Sequence, residues 1–296
     1  MLRKRRKAEI LARLTIREQI KDLGEAEKDY PEYNELIKLN TCMLKTLIPI
    51  EDYLLKNDGK SIIDEGIVRF KKELQEKLRV INVLDVEIFN KEQFRESVEN
   101  IITCLRDRIG TRGLHDLMES LKKGEIKAID GFRATLKEDS TWFREMGERF
   151  GLEGSLLLLI FSMPLRPYFE ELARSLEGEF KDRWLQSKCP VCGRIPIVAR
   201  VKERKRYMVC TYCGLEYLID PFLCVHCGNS EPSELGFLTF KDNPWFEISY
   251  CEKCKNYVKI LFDDRIKKKI PKGLEDLLTQ DLDKLALKKE FGLERA

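Results

Sequence analysis

Apolar side chains recur at helical intervals from the N-terminus through Ser187, and the polar positions between them mark helix ends. Pro31 stands as a helix-opening proline, because its missing N–H is one that a first turn leaves unbonded. Leu36, Leu39, Met43, Leu44 and Leu47 make an apolar stripe that Pro49 is expected to kink or split. Asn57-Asp58-Gly59 reads as a stop, with Ser61 capping a further helix through Val68, Leu74 and Leu78. Asn90 caps the next helix, which ends at Gly110. Ser140 or Asp139 caps another, which ends at Gly151. Two or three more cover Glu153–Trp184, broken near Pro164. No glycine-rich phosphate loop, Ser/His/Asp set or strand–helix alternation interrupts this half.

The period then changes. Ile195–Val201 and Arg206–Val209 alternate β-branched with basic residues around the charged turn Lys202–Lys205. Leu235–Phe240 and Trp245–Tyr250 form a similar pair around Lys241-Asp242-Asn243-Pro244. Both pairs predict hairpins. The last segment, Gly273–Gly292, returns to helix with Leu274, Leu277, Leu278, Leu282 and Leu285 along one face. The expected fold is α+β: an all-helical N-terminal domain over 1–187, two tandem rubredoxin-like or zinc-ribbon β modules over 188–222 and 223–266, and a C-terminal helix within 267–296.

Each predicted hairpin lies between two Cys-x-x-C pairs. Cys189/Cys192, Cys210/Cys213, Cys224/Cys227 and Cys251/Cys254 crowd into one quarter of the chain and hold eight of the ten cysteines. A Cys-x-x-C turn aims two thiolates at one point, and two such turns close a tetrahedral S4 shell around Zn or Fe. Four turns make two sites, one metal ion in each. Gly193, Gly214 and Gly228 follow three of the pairs, where the chain turns back with positive φ. Sequential pairing closes the loops Cys192–Cys210 and Cys227–Cys251 over each hairpin, whereas interleaving would join Cys192 to Cys224 across a longer stretch. Loop entropy separates these by under ~1 kcal/mol. The repeated architecture favours sequential pairing.

A closed S4 shell leaves no position for water or substrate, so hydrolytic metal catalysis is not expected, and neither is a small-molecule substrate. About 75 residues of small hairpins bury too little apolar surface to fold unaided, and metal binding supplies ~10 kcal/mol or more per site. A structural role is therefore the first expectation and one-electron transfer at iron the second. Lys188, Arg194 and Lys255 stand near the sulfurs, where they can donate to them or serve as ordinary surface charges.

With 296 residues, 43% hydrophobic and 35% charged, the chain is long enough for two ordinary cores. The longest apolar run, Leu156–Phe161, is far short of the ~20 residues that span a bilayer, so no membrane partner is expected. The basic run Arg3–Lys7 precedes no apolar stretch. It reads as a solvated first helical turn, and reduced thiols without an export signal point to the cytoplasm. The formal net charge of +3 counts cysteines as neutral; eight thiolates against two divalent ions bring it to about −1, or to about +1 with ferric ions. That argues against a general nucleic-acid binder, which needs a basic surface.

Other candidates are sparse. Cys42 and Cys104, far apart in the chain and each inside a helix, read as buried free thiols. His115 sits near a helix start and reads as a surface or capping residue. His226, inside the third pair, is a candidate to support the ligands rather than to join them. The adjacent carboxylates Glu170-Glu171 and Asp263-Asp264 read as solvated faces.

From about Ser155 to Gly292 the chain resembles the formate dehydrogenase accessory protein family, FdhE. The resemblance rests on Cys189-Pro190-Val191-Cys192-Gly193 with Pro196, on the three later pairs, and on Asn256-Tyr257-Val258-Lys259-Ile260 after the last, similar to the family's C-x-x-Y-x-K segment. Leu165-Arg166-Pro167-Tyr168-Phe169-Glu170-Glu171-Leu172-Ala173 looks like the family's helix leading into the first pair, and Asp276–Leu287 like its terminal leucine-rich helix. Tyr217 departs from the tryptophan usual after the second pair. The resemblance implies a chaperone assisting maturation of the catalytic subunit of a molybdenum or tungsten formate dehydrogenase, with no substrate of its own. The rival reading is a zinc-ribbon factor associated with nucleic acid or RNA polymerase. It draws on Lys202, Arg204, Lys205 and Arg206 at one hairpin tip and on Tyr207, Tyr212 and Tyr217 nearby.

Overall fold

A computed structural model describes residues 15–75, 90–176, 179–180, 184, 186–240, 243–266, 270–271 and 273–292. The basic run Arg3–Lys7, the side chain of Leu74, Leu78 and the turn residues Lys241 and Asp242 lie outside what is described.

Ten helices precede the sheet among the described residues. Helix α1 (Ile16–Asp29) opens on a capping box, in which the Thr15 hydroxyl accepts the Glu18 N–H while the Glu18 carboxylate accepts the Thr15 N–H. Pro31 opens a 3₁₀ turn that leads into α2 (Asn34–Lys45), and Pro49 sits in the first turn of α3 (Ile48–Leu54), so the proline splits the segment. The expected stripe shifts by one position: Ile37 is buried with Met43, Leu44 and Leu47, while Leu36 is exposed.

The stop expected at Asn57-Asp58-Gly59 does not occur. Helix α4 (Asn57–Gln75) starts there, carries Gly59 in its first turn and has Ser61 inside it rather than at its cap. A Cβ on Gly59 would lie 2.2 Å from the Tyr53 carbonyl oxygen, so glycine serves close helix–helix approach here. Ile62, Ile63 and Phe70 face inward from α4, and Val68, expected inside, is 70% exposed. The next helix matches its expected ends. Asn90 accepts the Gln93 N–H to cap α5 (Lys91–Ile109), and Gly110 closes it at φ 62°. After α6 (Arg112–Lys122) and α7 (Ala128–Lys137), Asp139 caps α8 (Ser140–Phe150) and Gly151 ends it at φ 62°. Helices α9 (Gly154–Ser162) and α10 (Arg166–Leu176) flank a turn at Met163–Leu165.

Two sequence expectations about this half are corrected. Cys42 on α2 and Cys104 on α5 form a disulfide rather than standing as free thiols. Glu170 and Glu171 are buried, because α10 is enclosed on nearly every side. Arg166 donates to Glu170 at 2.9 Å and to Gln19 Oε1 at 2.7 Å, Gln19 donates to Glu170, and Arg174 pairs with Glu171. Buried carboxylates persist because each charge has a partner.

The strands β1 (Val198–Lys202), β2 (Lys205–Val209), β3 (Glu216–Leu218), β4 (Leu235–Thr239), β5 (Phe246–Cys251) and β6 (Tyr257–Phe262) form a single sheet in the order β3-β2-β1-β6-β5-β4. Both expected hairpins are present. β1 and β2 turn through Glu203 and Arg204, both with positive φ, as a two-residue hairpin requires. Each hairpin gains a third strand after its second cysteine pair, giving the units β1-β2-β3 and β4-β5-β6. The units join where β1 runs parallel to β6, with Val198 opposite Lys259. The ring of Phe237 on β4 lies 5.5 Å from the Arg206 guanidinium on β2. Four strand spacings would separate these strands by ~19 Å in a flat sheet, so the sheet curls strongly.

The C-terminal segment covers one face of the sheet. It is shorter in helix than expected, a turn at Leu277–Thr279 followed by α11 (Gln280–Lys288). Leu274, Leu278, Leu282 and Ala286 pack inward and Leu285 faces solvent. One apolar core runs from the helices into the sheet through Cys189, Val191, Val198, Tyr217 and Ile260. A smaller cluster joins Ile248 and Tyr257 to Leu282, Ala286 and Phe291.

Candidate metal centres

All eight cysteines of the four pairs gather into two groups, in the sequential pairing. Cys189, Cys192, Cys210 and Cys213 form one, and Cys224, Cys227, Cys251 and Cys254 the other, with the sulfurs of each group within 4.8 Å of one another. The local reason repeats four times. The N–H of each first cysteine bonds a carbonyl five residues on: Cys189 to Arg194 at 2.7 Å, Cys210 to Leu215 at 2.9 Å, Cys224 to Asn229 at 2.8 Å, and Cys251 to Asn256 at 3.0 Å. The residue after each second cysteine has positive φ: Gly193 73°, Gly214 66°, Gly228 73° and, in the pair without glycine, Lys255 55°. At the three glycines this residue's N–H returns to the first cysteine's carbonyl, as Gly193 does to Cys189 at 2.9 Å.

The sulfur spacings fit a tetrahedral cation. Four thiolates at ~2.3 Å from a Zn or Fe ion stand about 3.8 Å apart. The closest cross-pair distances are 3.5 Å (Cys189–Cys213), 3.4 Å (Cys192–Cys210), 3.6 Å (Cys224–Cys254) and 3.9 Å (Cys227–Cys251). Charge makes the same demand. Burial and then neighbouring sulfurs push the Cys189 and Cys192 thiols well above their ordinary range, while bonds from the other three cysteines hold Cys210 well below it. Were all four sulfurs to ionise together in so small a buried volume, a compensating cation would have to lie among them.

The two cages differ in setting. All four cysteines of the first are buried, and the cage is tied to the helices. The Tyr212 hydroxyl donates to the Ser162 carbonyl at 2.5 Å, Arg194 donates to Ser162 Oγ at 2.6 Å, and the Arg194 guanidinium lies 3.8 Å from the centre of the Tyr212 ring. The second cage is at the surface, with Cys227 exposed and Cys254 half-buried. There burial raises the Cys251 thiol, but N–H groups of Cys254, Lys253 and the Asn229 amide outweigh it and bring it down to about 7. Asn229 Nδ2 lies 3.6 Å from Cys251 Sγ.

The other candidates fall elsewhere. Lys188 pairs with Glu138 and Lys255 with Glu252, so with Arg194 on Tyr212 all three basic side chains have partners away from the sulfurs. His226 Nε2 is 3.2 Å from the Tyr257 carbonyl oxygen, and burial lowers its pKa. His115 is exposed on α6. Asp263 is drawn to Arg200 at 2.7 Å, while Asp264 remains exposed. Tyr212 and Tyr217 are buried in the core and Lys202 pairs with Glu216, which leaves Tyr207, half-buried, of the three tyrosines near that hairpin.

Sequence reasoning missed the fastening of the C-terminal segment. Lys259 Nζ is wholly buried between Asp276 and Asp283, 2.9 Å from the latter, and the Tyr257 hydroxyl donates to Asp283 at 2.6 Å. The signal was present in the Tyr257-x-Lys259 motif and the aspartates of the last helix, which the resemblance noted without a mechanism.

A helical body joined through one buried four-cysteine cage to a curled double-ribbon sheet, with a second cage at the surface, defines a fold with two sites that could each hold a metal ion. Comparison with known proteins supports the FdhE resemblance. A protein named FdhE homolog from Aquifex aeolicus is 27% identical over 187 residues, 62% of this chain and 62% of that protein. Another from Stutzerimonas stutzeri is 30% identical over 117 residues, 36% of each. The chain thus spans less than two thirds of the length of these relatives. The crystal structure of the FdhE protein from Pseudomonas aeruginosa superposes over 94% of this chain and 93% of its own with a TM-score of 0.61 at 15% identity, a likeness of fold. No protein-family model matches the chain.

Proposed function

We propose that this protein is an FdhE-type accessory protein that assists maturation of a formate dehydrogenase catalytic subunit and has no reaction of its own. The supporting observation is the coincidence of sequence similarity to proteins named FdhE homolog with an FdhE-like fold and two four-cysteine cages. In this reading Cys189, Cys192, Cys210 and Cys213 hold one ion, and Cys224, Cys227, Cys251 and Cys254 hold the other. S4 shells accept both zinc and iron; zinc supplies cross-linking alone, and iron adds a one-electron couple. The parts are a helical domain over 1–187, ribbon units over 188–222 and 223–266, and a C-terminal brace within 267–296. Among the described residues no helix is long and apolar enough to cross a membrane. Work on an immature client would place the protein in the cytoplasm, whereas the Cys42–Cys104 disulfide is a feature of more oxidising surroundings.

The test is affinity purification of the tagged full chain from native extract, with elemental analysis of the same sample. The expected result is two equivalents of zinc or iron together with a formate dehydrogenase catalytic subunit. Purified chain that holds the metals but retains no such subunit from extract containing it would overturn the maturation role. Salt-sensitive retention of nucleic acid instead would restore the ribbon-factor reading.

A further inference from the structure

The curl of the sheet leaves a hollow on the face opposite α11. Strict alternation along the strands puts Arg206, Leu235, Phe237, Ser249 and Val258 on that face, and the segment after β3, through Pro221, Phe222 and His226, forms the opposite wall. The cavity measures about 230 Å³ and is lined mainly by apolar atoms. That exceeds the ~150 Å³ space known to accept a benzene ring and falls below the ~300 Å³ at which sites for larger ligands begin. It suits one aromatic or branched side chain and is too small for a cofactor.

Three observations say what kind of partner fits. Phe222 at the rim is 75% exposed and Phe237 43%, and both line the same hollow, so their uncovered apolar faces meet there. Arg206 is half-buried in the wall, yet its hydrogen bond there goes to a neutral acceptor, the Pro221 carbonyl at 3.2 Å, and its Nε is buried with no acceptor. Glu247 and Asp220 act on Arg206 through space, and among the described residues its guanidinium meets the Phe237 ring and the Pro221 carbonyl with no salt bridge. Finally, β4 is the last strand of the sheet, so its outer edge faces no strand among the described residues and can pair with an extended chain.

We propose that this hollow is a docking site for an extended polypeptide segment of a partner, with an aromatic or branched side chain seated beside Phe222 and Phe237 and a neighbouring carboxylate taken by Arg206. That the partner is an immature client subunit rests on the function proposed above; the chemistry of the segment does not.

The test uses the zinc-loaded full chain and a labelled peptide, Ac-Thr-Leu-Phe-Asp-Thr-Val-NH2, with its Asp→Asn counterpart, followed by fluorescence anisotropy. The acidic peptide is expected to bind saturably and about tenfold tighter than the Asn form, the difference that a hydrogen bond to a charged group makes. Arg206→Gln should erase that difference. Phe222→Ser, at an exposed position that leaves the fold intact, should weaken both peptides by about tenfold. No saturable binding, or unchanged binding in Phe222→Ser, would overturn the docking site. Should Arg206→Gln not fold, the Asp/Asn comparison in the parent chain decides the carboxylate contact. Capture of formate dehydrogenase catalytic subunit separates the two proposals. Capture by the parent but equally by Phe222→Ser overturns the hollow as the client site and leaves the maturation role standing. Peptide binding without capture by the parent overturns the maturation role and leaves the site standing.

Discussion

Glu51 illustrates how a single buried carboxylate sets a pH response. Its Oε1 accepts the Ile16 N–H at 2.9 Å, but Oε2 is buried without a hydrogen bond, and Arg17 Nη1 stands 3.9 Å away. Burial, and then the charge of Glu170, outweigh the Ile16 bond and raise its pKa. A carboxyl with a raised folded pKa keeps its proton to higher pH in the native state than in the unfolded chain. Its contribution therefore favours folding at acid pH and is lost as pH rises through ~4.3 and beyond. Glu51→Gln keeps an acceptor for Ile16 and removes the charge. It should stabilise the protein by about 1 kcal/mol at pH 7.5, and the gain should vanish near pH 4. Thermal melts of both proteins across that range check it; a gain that persists at pH 4 would assign the effect to packing instead. At this scale the sequence was legible where chemistry is local. The eight ligand-type cysteines and the three positive-φ glycines after them could be read from the sequence, whereas the positive φ of Lys255 after the fourth pair could not. Glu170 and Glu171 were misjudged, because adjacent carboxylates look solvated until Arg166 and the distant Gln19 close around them.

Among elements, the ends of α5 and α8 could be read in advance because a cap bonds within its own first turn. Gly59 misled because its reason lies in a neighbouring helix, at the Tyr53 carbonyl. The fusion of the two ribbon units depends on β6 lying against β1, a pairing between segments far apart in the chain that no local pattern announces. The same holds for Cys42 and Cys104, whose sequence separation of 62 hid a cross-link between α2 and α5. A bridge closing a loop of that length removes unfolded-state entropy equivalent to about 4 kcal/mol. The double variant Cys42→Ser/Cys104→Ser should lose about that much in urea unfolding while retaining both metals by elemental analysis. A loss below ~1 kcal/mol would show that the cross-link contributes little. The C-terminal brace offers a second test. Lys259→Met removes the buried cation that Asp276 and Asp283 share, leaving two partly covered carboxylates facing each other. Breaking a buried pair costs ~3 kcal/mol or more, and the partial exposure of the aspartates sets this case at the lower end. Limited proteolysis should cut the variant ahead of α11 under conditions where the parent resists, and an unchanged digestion pattern would mean that the Leu274, Leu278 and Leu282 contacts hold the segment by themselves.

For the molecule as a whole, the unequal settings of the two cages decide what each contributes. The first lies in the core that joins helices to sheet, where Cys189, Cys192, Cys210 and Cys213 pack with Val191, Tyr212 and Tyr217. Losing its ion would leave four buried sulfurs in a space that burial and mutual repulsion make hostile to thiolates, at the junction holding both halves together. The second closes only the knuckles of the outer ribbon unit, with Cys227 open to solvent. Metal loss should therefore come in two stages. A chelator such as EDTA should draw the first equivalent quickly from the outer cage, while the second leaves only as the protein unfolds, because an attacking ligand needs access to the ion. Cys227→Ser should bind one equivalent, keep its helical circular dichroism, and melt within a few degrees of the parent. Cys192→Ser should lose cooperative melting altogether, since ~10 kcal/mol of metal binding is of the order of the net stability of a domain. Single-phase release of both equivalents, or a Cys192→Ser protein as stable as Cys227→Ser, would mean that the cages are equivalent and that burial does not set their roles. If the expected order holds, the inner ion acts as the hinge pin of the architecture, and the outer ion is the one that solution conditions, or a partner seated in the neighbouring hollow, can reach.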